Sequence, residues 1–389
     1  RLARAKPWPT PPARFMGAQH GKVEEERGTP TVVNNLSRSA LQRQVSVLSS
    51  QSDQSLSGYI QHLVDKDGDP ARKRRICCEA PGLEDTAVEF ARVLQEMIGR
   101  SLRNPPRLRI FDNHTLDFKI DGQPANFTAC RCSQFQRLRA AMKVSEEDYL
   151  TSLCMEPFLG GEKAASGKSG SLFLRSHDNR FVLKTIEQHE FDVLEAILPS
   201  YLLYLEENDS LLCRFVGAYS LAMRRRTLRL VVMSNVLPSK PDVIYDLKGT
   251  TEDRWVDPVC NAVLKDNNFH PFTLFFKAEE RRRLLECVKN DTQFLESVGT
   301  MDYSLLLGVS SEENERFRDG AMTGWLSMCN DDKKAPKLFQ MGIIDYLQRW
   351  TPKKVAAHWL KKPTLGCCHE IDTEPPMIYC SRFFKYMDR

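Results

Sequence analysis

A loop rich in glycine and serine, followed at once by a strand hairpin, limits what this chain can fold into more than any other stretch. The loop is GGEKAASGKSGS, at residues 160–171, and after it come SLFLRS, the turn HDNR and FVLKTI. A Walker A loop has four residues between its first glycine and its closing Gly-Lys-Ser/Thr, and it leads into a helix. Here five residues separate Gly161 from Gly167, and the next element is predicted to be a strand. The stretch therefore predicts a phosphate loop of another kind, placed between strands.

A lysine on the second hairpin strand indicates which kind of phosphate loop this is. Protein kinases cover ATP with a glycine-rich loop between two strands and pair its phosphates with a lysine on a following strand. Lys184, in FVLKTI, has that position. The apolar stretch LRLVVMSNVL is then the buried strand whose backbone would hold the adenine, and Met233 within it is the candidate contact. We therefore predict an ATP site that includes both residues.

Length and charge add limits but no function. The chain has 389 residues, a net charge of +4 and 41% hydrophobic residues, as ordinary soluble proteins do. No apolar run reaches the roughly 18 residues that a membrane span needs, so membrane contact is expected to be peripheral. The 12 cysteines are scattered without CxxC spacing, which favours free thiols in a reducing compartment. The first residue is arginine, so whether the natural N-terminus is present stays open.

The N-terminal part of the chain differs in composition from the rest. Residues 1–75 are rich in proline, serine, glutamine and arginine, end in ARKRR, and are predicted to be a disordered tail. From Leu83 onward, LEDTAVEFARVLQEMIGRSL has apolar residues at helical spacing. RLRIFDNHTLDFKID then predicts two strands, and SEEDYLTSL predicts a helix with a serine cap. EFDVLEAILPSYLLYLEEN predicts a core helix whose apolar face is formed by Leu194, Ile197, Leu198, Tyr201, Leu202 and Leu205. We therefore expect a folded domain of helices and strands over residues 83–389.

Three residues in the right chain order fit the needs of phosphoryl transfer. That reaction uses a lysine on the phosphates, a carboxylate that holds magnesium and a carboxylate near the attacking hydroxyl. Lys184 fits the first role; Asp345, which follows the apolar MGII, and Asp302, which opens DYSLLL, fit the other two. A strand can also end in an aspartate that caps a turn, so spacing alone leaves this structural alternative open. The chain lacks HRD, DFG and APE motifs in the corresponding places, which argues against an ordinary protein kinase.

Seven short stretches resemble the phosphatidylinositol phosphate kinases. They are SGKSGSLF, FVLKTI, DLKGT, KDNNF, MDYSLLLG, GIID and PMIYCSRF, in this order. The resemblance extends over residues 83–389 and does not include residues 1–75. It implies an α+β, kinase-like two-lobed fold with antiparallel sheets and packed helices, and an ATP site between the lobes. The N-terminal lobe would be residues 83–237 and the C-terminal lobe residues 238–389, with an activation loop at about 349–375.

The resemblance implies a role for each site residue. Lys184 would bind the ATP phosphates, Asp345 would bind Mg2+, and Asp302 would accept or orient the proton of the lipid hydroxyl. Asp246 and Lys248, in DLKGT, would belong to a second active-site motif, with Lys248 next to a phosphate. The alternative is a buried Asp246 that pairs with Lys248 and supports the sheet. The loop residues that provide turns and backbone donors would be Ser166, Gly167, Ser169 and Gly170. The helix carboxylate that pairs with the ATP lysine is left open among Glu190, Asp192 and Glu195.

The segment after Asp345 would contact the substrate and the membrane. By resemblance it is the activation loop, and basic groups beside tryptophan suit an anionic lipid surface. Its candidate lysines are Lys353, Lys354, Lys361 and Lys362. Arg254 is a further candidate for contact with a lipid phosphate. A merely solvated loop is the alternative.

One loop position bears on which lipid is used. In the resembled family, a glutamate before the loop histidine is typical of enzymes that phosphorylate the 5-position of the 4-phosphate, and an alanine of enzymes that phosphorylate the 4-position of the 5-phosphate. Ala357 precedes His358 and so favours a 4-kinase, while 5-kinases are the broader expectation for the family. Both make phosphatidylinositol 4,5-bisphosphate. We therefore expect an ATP- and Mg2+-dependent 4-phosphate 5-kinase, with the 5-phosphate 4-kinase as the alternative.

Other expectations concern partners and location. A non-catalytic lipid-binding scaffold would lack the lysine or the metal aspartate, and both are present. Nucleic acid is not an expected partner, because no aromatic-basic module or metal finger accompanies the basic runs. The expected location is the cytoplasm, peripherally at the cytoplasmic face of the plasma membrane, with a nuclear pool and a homodimer left open. Residues 310–338 look like a polar insertion whose purpose is left open.

Overall fold

The computed structural model describes two large sheets and one small strand pair with their helices, in segments separated by gaps. The described residues are 55–65, 83–103, 112–159, 171–259, 262–269, 274, 276–310, 325–329, 337–352, 354–356 and 373–388.

In the first half of the described chain, six strands form an antiparallel sheet. They are β1 (His114–Ile120), β2 (Gln123–Cys130), β3 (Phe173–Arg175), β4 (Phe181–Ile186), β5 (Phe215–Met223) and β6 (Arg226–Ser234). Their order across the sheet is β1-β2-β5-β6-β4-β3. The hairpin predicted after the phosphate loop is confirmed, since β3 and β4 are antiparallel with Leu174 opposite Leu183. Lys184 therefore lies one strand in from the sheet edge.

Helices accompany both faces of this sheet. They are α1 (Leu56–Asp65), α2 (Leu83–Arg103), α3 (Cys132–Ala141) and α4 (Glu146–Cys154). Side chains of α1, α2 and α4 share one apolar core with the sheet, while α3 contributes to a second core. The serine cap predicted for α4 is confirmed, because the Asp148 N–H donates to Ser145 Oγ at 3.0 Å.

Helix α1 corrects the prediction of a disordered tail over residues 1–75. Leu56, Tyr59 and Ile60 are buried, and the Tyr59 ring meets that of Phe90 edge-on, with 5.6 Å between the ring centroids. This i, i+3, i+4 spacing makes one apolar helix face. The surrounding serines and charges hide that face when composition is averaged over the whole segment. The other residues of 1–75 lie outside the described residues, so their disorder stays a prediction.

After β4 the chain forms α5 (Gln188–Glu207), and the later elements build a second sheet. Its strands are β7 (Val243–Leu247), β8 (Val263–Lys265), β10 (Ser304–Ser310), β11 (Trp325–Cys329) and β12 (Lys337–Ile344). The order is β11-β12-β10-β7-β8, in which β7 and β8 are parallel and the other pairs are antiparallel. A small antiparallel pair is formed by β9 (Thr300–Met301) and β13 (Gln348–Arg349). The helices of this part are α6 (Asp266–Phe269), α7 (Ala278–Ser297) and α8 (Pro376–Met387).

The predicted α+β fold of packed helices and antiparallel sheets is confirmed. Helix α5 is central to the second core. The residues predicted to form its apolar face are all buried, namely Leu194, Ile197, Leu198, Tyr201, Leu202 and Leu205. None of the described helices is both long and apolar enough to cross a membrane.

Part of the predicted polar insertion belongs to the second sheet. Residues Trp325–Cys329 form β11, which pairs with β12 at the sheet edge. The five apolar or small residues of WLSMC are flanked by charged and glycine-containing stretches, so the insertion as a whole has a polar composition. Residues 311–324 and 330–336 lie outside the described residues.

A buried carboxylate joins α7 to the segment that follows α5. Asp291 is fully buried and accepts hydrogen bonds from Tyr204 Oη, Ser210 Oγ and the Leu211 N–H, each at 2.7 Å. Burial raises the pKa of Asp291 to about 6, although these donors and Arg214 partly oppose the shift. The folded protein therefore binds a proton at Asp291 at pH values where the unfolded chain does not.

This pKa shift predicts how stability changes with pH. Because the folded-state pKa is raised, the contribution of Asp291 to stability is fully present below its unfolded value and is lost as the pH rises through about 6. Relative to Asp291→Asn, the free energy of unfolding of the wild type should fall by about 2 to 3 kcal/mol between about pH 4 and pH 7. Denaturant unfolding of both proteins across this range measures the difference. A difference that does not vary with pH would show that Asp291 titrates as in the unfolded chain.

Candidate active site

The candidate site lies where three strands of the second sheet have neighbouring ends. Strand β10 pairs antiparallel with both β12 and β7, with Ser304 opposite Ile344 and Leu305 opposite Leu247. The start of β10 therefore lies beside the ends of the other two strands. Asp302 comes just before β10, Lys248 just after β7 and Asp345 just after β12. The sheet register thus brings together three residues that are far apart in the sequence.

The two aspartates share an uncommon backbone conformation. Asp302 and Asp345 have φ angles of 68° and 59°, in the left-handed region. Aspartate tolerates this region better than most residues do, because its short polar side chain can bond locally. Such positions cost about 1 to 3 kcal/mol each and cluster at functional sites. Six other described non-glycine residues also have a positive φ, so the conformation supports a functional role for these two strand ends only together with their lysine contacts.

A lysine from the first sheet reaches one of these aspartates. Lys184 Nζ donates to Asp345 Oδ1 at 2.8 Å, and the two side chains are 13% and 56% exposed. Burial by itself lowers the pKa of Lys184, but the Asp345 carboxylate, and to a lesser degree Glu190, more than offset this and the pKa is raised. Lys184 therefore stays charged beside a carboxylate that is open to solvent.

A cleft surrounds the Lys184–Asp345 pair. Met233, the predicted adenine contact, lines this cleft together with the pair. The other lining residues are Ile186, Glu190, Cys213, Phe215, Val231, Tyr346 and Leu347. Most of these are apolar, as residues around a flat ring such as adenine usually are, and the charges lie together at one side. The cavity measures only about 20 Å³, so the cleft would have to widen to admit a nucleotide. The predicted ATP lysine, metal aspartate and adenine contact are thus brought to one cleft.

The cleft also distinguishes the three candidate helix carboxylates. Glu190 lines the cleft and adds to the raised pKa of Lys184. Asp192 instead accepts a hydrogen bond from Gln188 Nε2 at 2.7 Å, and Glu195 accepts one from Arg131 Nε at 3.1 Å. Among these three described residues, Glu190 is the one placed to act on the lysine. Sequence spacing alone could not separate them, because all lie within two turns of α5.

A second lysine pairs with the other aspartate. Lys248 Nζ donates to Asp302 Oδ1, and the side chains are 17% and 33% exposed. Lys354, predicted to contact substrate or membrane, also lies near this pair, with its Nζ 3.1 Å from Gln348 Oε1. Burial lowers the pKa of Lys354, Asp302 opposes that change, and the charge of Lys248 adds to it. The structure therefore places Lys354 beside the catalytic candidates.

Arg254 and Asp266 form a buried support for these strand ends, and the partly exposed Asp246 also contacts Arg254. Arg254 Nε donates to Asp266 Oδ2 at 2.7 Å, and its Nη2 lies 3.3 Å from Asp246 Oδ1. Asp266 Oδ1 accepts the backbone N–H groups of Lys248 and Gly249 at 2.9 and 2.8 Å. The predicted alternative, a pairing of Asp246 with Lys248, is wrong, because Asp246 pairs with Arg254.

The prediction that Arg254 contacts a lipid phosphate is not supported by its placement. Arg254 and Asp266 are both buried, so the guanidinium holds the turn around Lys248 and Gly249. That turn needs glycine, since Gly249 has a φ of 72° and a Cβ there would lie 3.0 Å from Tyr386 Cβ. Sequence reasoning missed Asp266. Its signal was the motif KDNNF, whose aspartate reaches Lys248 only through the parallel pairing of β7 with β8.

The hydrogen bonds of two buried tyrosines behind Asp345, Tyr201 and Tyr346, were not predicted either. Tyr346 donates its hydroxyl to the backbone oxygen of Cys213, and the hydroxyls of Tyr201 and Tyr346 are 2.9 Å apart. The Phe215 N–H donates to Tyr201 Oη at 3.2 Å. This chain of hydrogen bonds fixes the residue after Asp345 to the start of β5. In the sequence, Tyr346 stands where a DFG motif would have phenylalanine, and no local pattern indicates its contact with Cys213.

Several predicted residues lie outside the described residues, so their roles stay predictions. They are the loop residues Ser166, Gly167, Ser169 and Gly170 and the later residues Lys353, Ala357, Lys361 and Lys362. Within the described residues, no group of three or more histidine, cysteine, aspartate or glutamate side chains could hold a metal ion. Asp345 nevertheless fits Mg2+, which binds proteins through one or two carboxylates when phosphate oxygens supply further ligands.

Comparisons with known proteins agree with this geometry. The family model described as Phosphatidylinositol-4-phosphate 5-Kinase matches residues 159–334 and 321–389. The chain is 30% identical over 306 residues to phosphatidylinositol 4-phosphate 5-kinase type-1 beta of Gallus gallus, covering 65% of this chain and 56% of that protein. It is 36% identical over 305 residues to the type-1 alpha protein of Homo sapiens, covering 65% and 53%. The chain thus spans just over half the length of these relatives. Since the family model covers more than half of the chain, the chain belongs to the phosphatidylinositol-4-phosphate 5-kinase family.

Proposed function

We propose that the chain is an ATP-dependent lipid kinase that phosphorylates the 5-hydroxyl of phosphatidylinositol 4-phosphate. The observation that carries the proposal is a pair of lysine–aspartate contacts at the neighbouring ends of β7, β10 and β12: Lys184 with Asp345 and Lys248 with Asp302. Two lobes, at residues 83–237 and 238–389, would hold ATP between them. The lysine from the first sheet that meets an aspartate of the second supports this division.

In this proposal, the cleft residues bind the nucleotide. Met233 and its apolar neighbours contact the adenine, and the charged Lys184 contacts the phosphate oxygens. Asp345 and the phosphates would hold Mg2+, which neutralises charge on the transferred group. Glu190 keeps a negative charge near Lys184 and so favours its ammonium form.

Asp302 is the proposed catalytic residue for the acceptor. Its carboxylate, just before β10, is one-third exposed, so a lipid hydroxyl can approach it and donate its proton. Lys248 keeps that carboxylate in place and, with Lys354, supplies positive charge for the existing phosphate of the lipid. Arg254 acts indirectly, because with Asp266 it holds the backbone of Lys248.

The choice of the 5-position rests on the relatives. Those reported above carry the name 4-phosphate 5-kinase, which favours that activity over the 4-kinase suggested by Ala357. The lipid substrate lies in a membrane, so we propose peripheral binding to an anionic cytoplasmic surface through the segment after Asp345. A homodimer and a nuclear pool stay predictions.

The first test is transfer of radiolabelled phosphate from ATP to vesicles that contain each phosphatidylinositol monophosphate. The wild type should label phosphatidylinositol 4-phosphate, and Lys184→Met and Asp345→Asn should each lower the rate by about a hundredfold or more. The matched controls Lys289→Met and Asp117→Asn change exposed residues away from the cleft and should keep full activity. A wild type that labels none of the lipids would overturn the proposed function.

The second prediction distinguishes the roles of Asp302 and Asp246 in catalysis. Asp302→Asn should lower kcat by about 10² to 10⁴ without changing KM for ATP, because it removes the proton acceptor and leaves the cleft intact. Asp246→Asn should have a much smaller effect, because the Asp246 backbone oxygen, which the substitution keeps, also accepts from Arg254. Steady-state kinetics with both substrates varied gives these values. Equal losses in the two variants would contradict the role given to Asp302.

The third prediction concerns specificity. The wild type should prefer phosphatidylinositol 4-phosphate to the 5-phosphate, and Ala357→Glu should increase that preference. The measurement is the ratio of kcat/KM on the two lipids for each protein. A wild type that prefers the 5-phosphate would instead support the 4-kinase alternative. An unchanged ratio in the variant would remove position 357 as a determinant.

A further inference from the structure

We propose that Asp291 is a positioning residue: it attaches the 210–213 segment to α7 and thereby fixes the position of Asp345 relative to Asp302. The inference rests on the proposed function for its link to catalysis. Its structural basis is a set of hydrogen bonds that lead from Asp291 to both sides of Asp345 and a helix that leads from Asp291 toward Asp302.

The first step is the attachment of the 210–213 segment. Asp291 Oδ2 accepts the Leu211 N–H, and its Oδ1 accepts from both Ser210 Oγ and Tyr204 Oη, each at 2.7 Å. Ser210 Oγ in turn accepts the Leu212 N–H at 3.0 Å. A fully buried carboxylate with these described donors is costly to leave unpaired, so the segment is held in one place relative to α7.

The second step runs from this segment to residues on both sides of Asp345. The Ile343 N–H donates to Leu211 O, and the Cys213 N–H donates to Ile343 O, both at 2.8 Å. On the other side, Tyr346 donates its hydroxyl to Cys213 O. Asp345 therefore lies between two points that are bonded to the same short segment. A shift of the segment would move the left-handed turn that presents the carboxylate.

The third step links the same helix to Asp302. Helix α7 ends at Ser297, and Thr300, the first residue of β9, donates its hydroxyl back to Leu295 O at 3.1 Å. Asp302 follows β9 directly. Asp291 thus lies on the helix that leads into Asp302 and bonds the segment that brackets Asp345. Loss of the carboxylate should loosen one aspartate relative to the other while both sheets stay paired.

Three variants distinguish positioning from general stabilisation. Asp291→Ala removes the acceptors. Asp291→Asn keeps the shape of the side chain. Its amide oxygen can accept the Leu211 N–H, and its NH2 group can donate to the hydroxyls of Ser210 and Tyr204, whose O–H bonds can rotate away. Thr292→Val is the matched control, because Thr292 is the next residue on α7 and is as buried as Asp291. Its hydroxyl contacts Val288 O and Lys289 O of α7 and the Cys380 side chain of α8, and none of these contacts involves the 210–213 segment.

The experiment measures the Mg2+ concentration that gives half-maximal activity, and separately the rise in melting temperature caused by Mg-ATP. Asp291→Ala should raise that Mg2+ concentration by about tenfold or more, as removal of supporting groups around metal ligands does elsewhere. It should also reduce the Mg-ATP-induced rise in melting temperature. Asp291→Asn should recover most of both properties. Thr292→Val should lower the melting temperature without ligand and leave the Mg2+ dependence unchanged.

Two results would overturn the inference. One is an Asp291→Ala variant with wild-type Mg2+ dependence and a wild-type response to Mg-ATP; the other is a Thr292→Val variant with the same defects as Asp291→Ala. If Asp291→Ala does not fold, Ser210→Ala, which removes one donor, takes its place and should show a smaller change in the same direction. The melting measurement needs no lipid, so a wild type inactive on every lipid would refute the proposed function while the positioning role was still tested.

Discussion

The candidate site depends on the register of β10 between β7 and β12. Because side chains alternate along a strand, a slip of one residue would exchange the two faces of β10 and move Asp302 away from the ends of its neighbours. The observed pairing sets Ser304 opposite Ile344 and Leu305 opposite Leu247. Tyr303, Leu305 and Leu307 are buried in the core, and their burial is the force that specifies this register. The position of Asp302 beside the ends of β7 and β12 is therefore a consequence of core packing.

Two kinds of ion pair lie around the ends of these strands, one buried and the other partly exposed. Arg254 and Asp266 are buried together; Asp266 Oδ1 accepts the Lys248 and Gly249 N–H groups, and Arg254 Nη2 donates to Asp246 O. A buried ion pair contributes little net stability, but removal of one partner is costly, so such a pair suits a part of the fold that must keep one geometry. Lys184–Asp345 and Lys248–Asp302 differ, because their carboxylates are partly exposed. In the proposed function, these are the pairs that the nucleotide and the lipid contact.

Several elements were predictable from local pattern. The hairpin of β3 and β4 followed from a turn between two apolar runs, the α4 cap from a serine followed by acidic residues, and the buried face of α5 from its spacing. Local pattern failed where the stabilising contact is distant. Helix α1 is held by Phe90 and its neighbours, which lie some thirty residues further along, and β11 is held by its pairing with β12. The sequence of neither short segment indicates its distant partner.

By itself, the sequence determined the chemical groups: a lysine on the strand after a phosphate loop, two aspartates at strand ends, and a set of motifs that resemble one kinase family. The tertiary structure decided which charges meet. It paired Lys248 with Asp302 rather than with Asp246, assigned Arg254 to the buried Asp266, and selected Glu190 from three carboxylates on α5. The physical reason is that an ion pair depends on distances of a few ångströms between side chains. Those distances are set by sheet register and helix packing across the whole domain, which no local stretch of sequence contains.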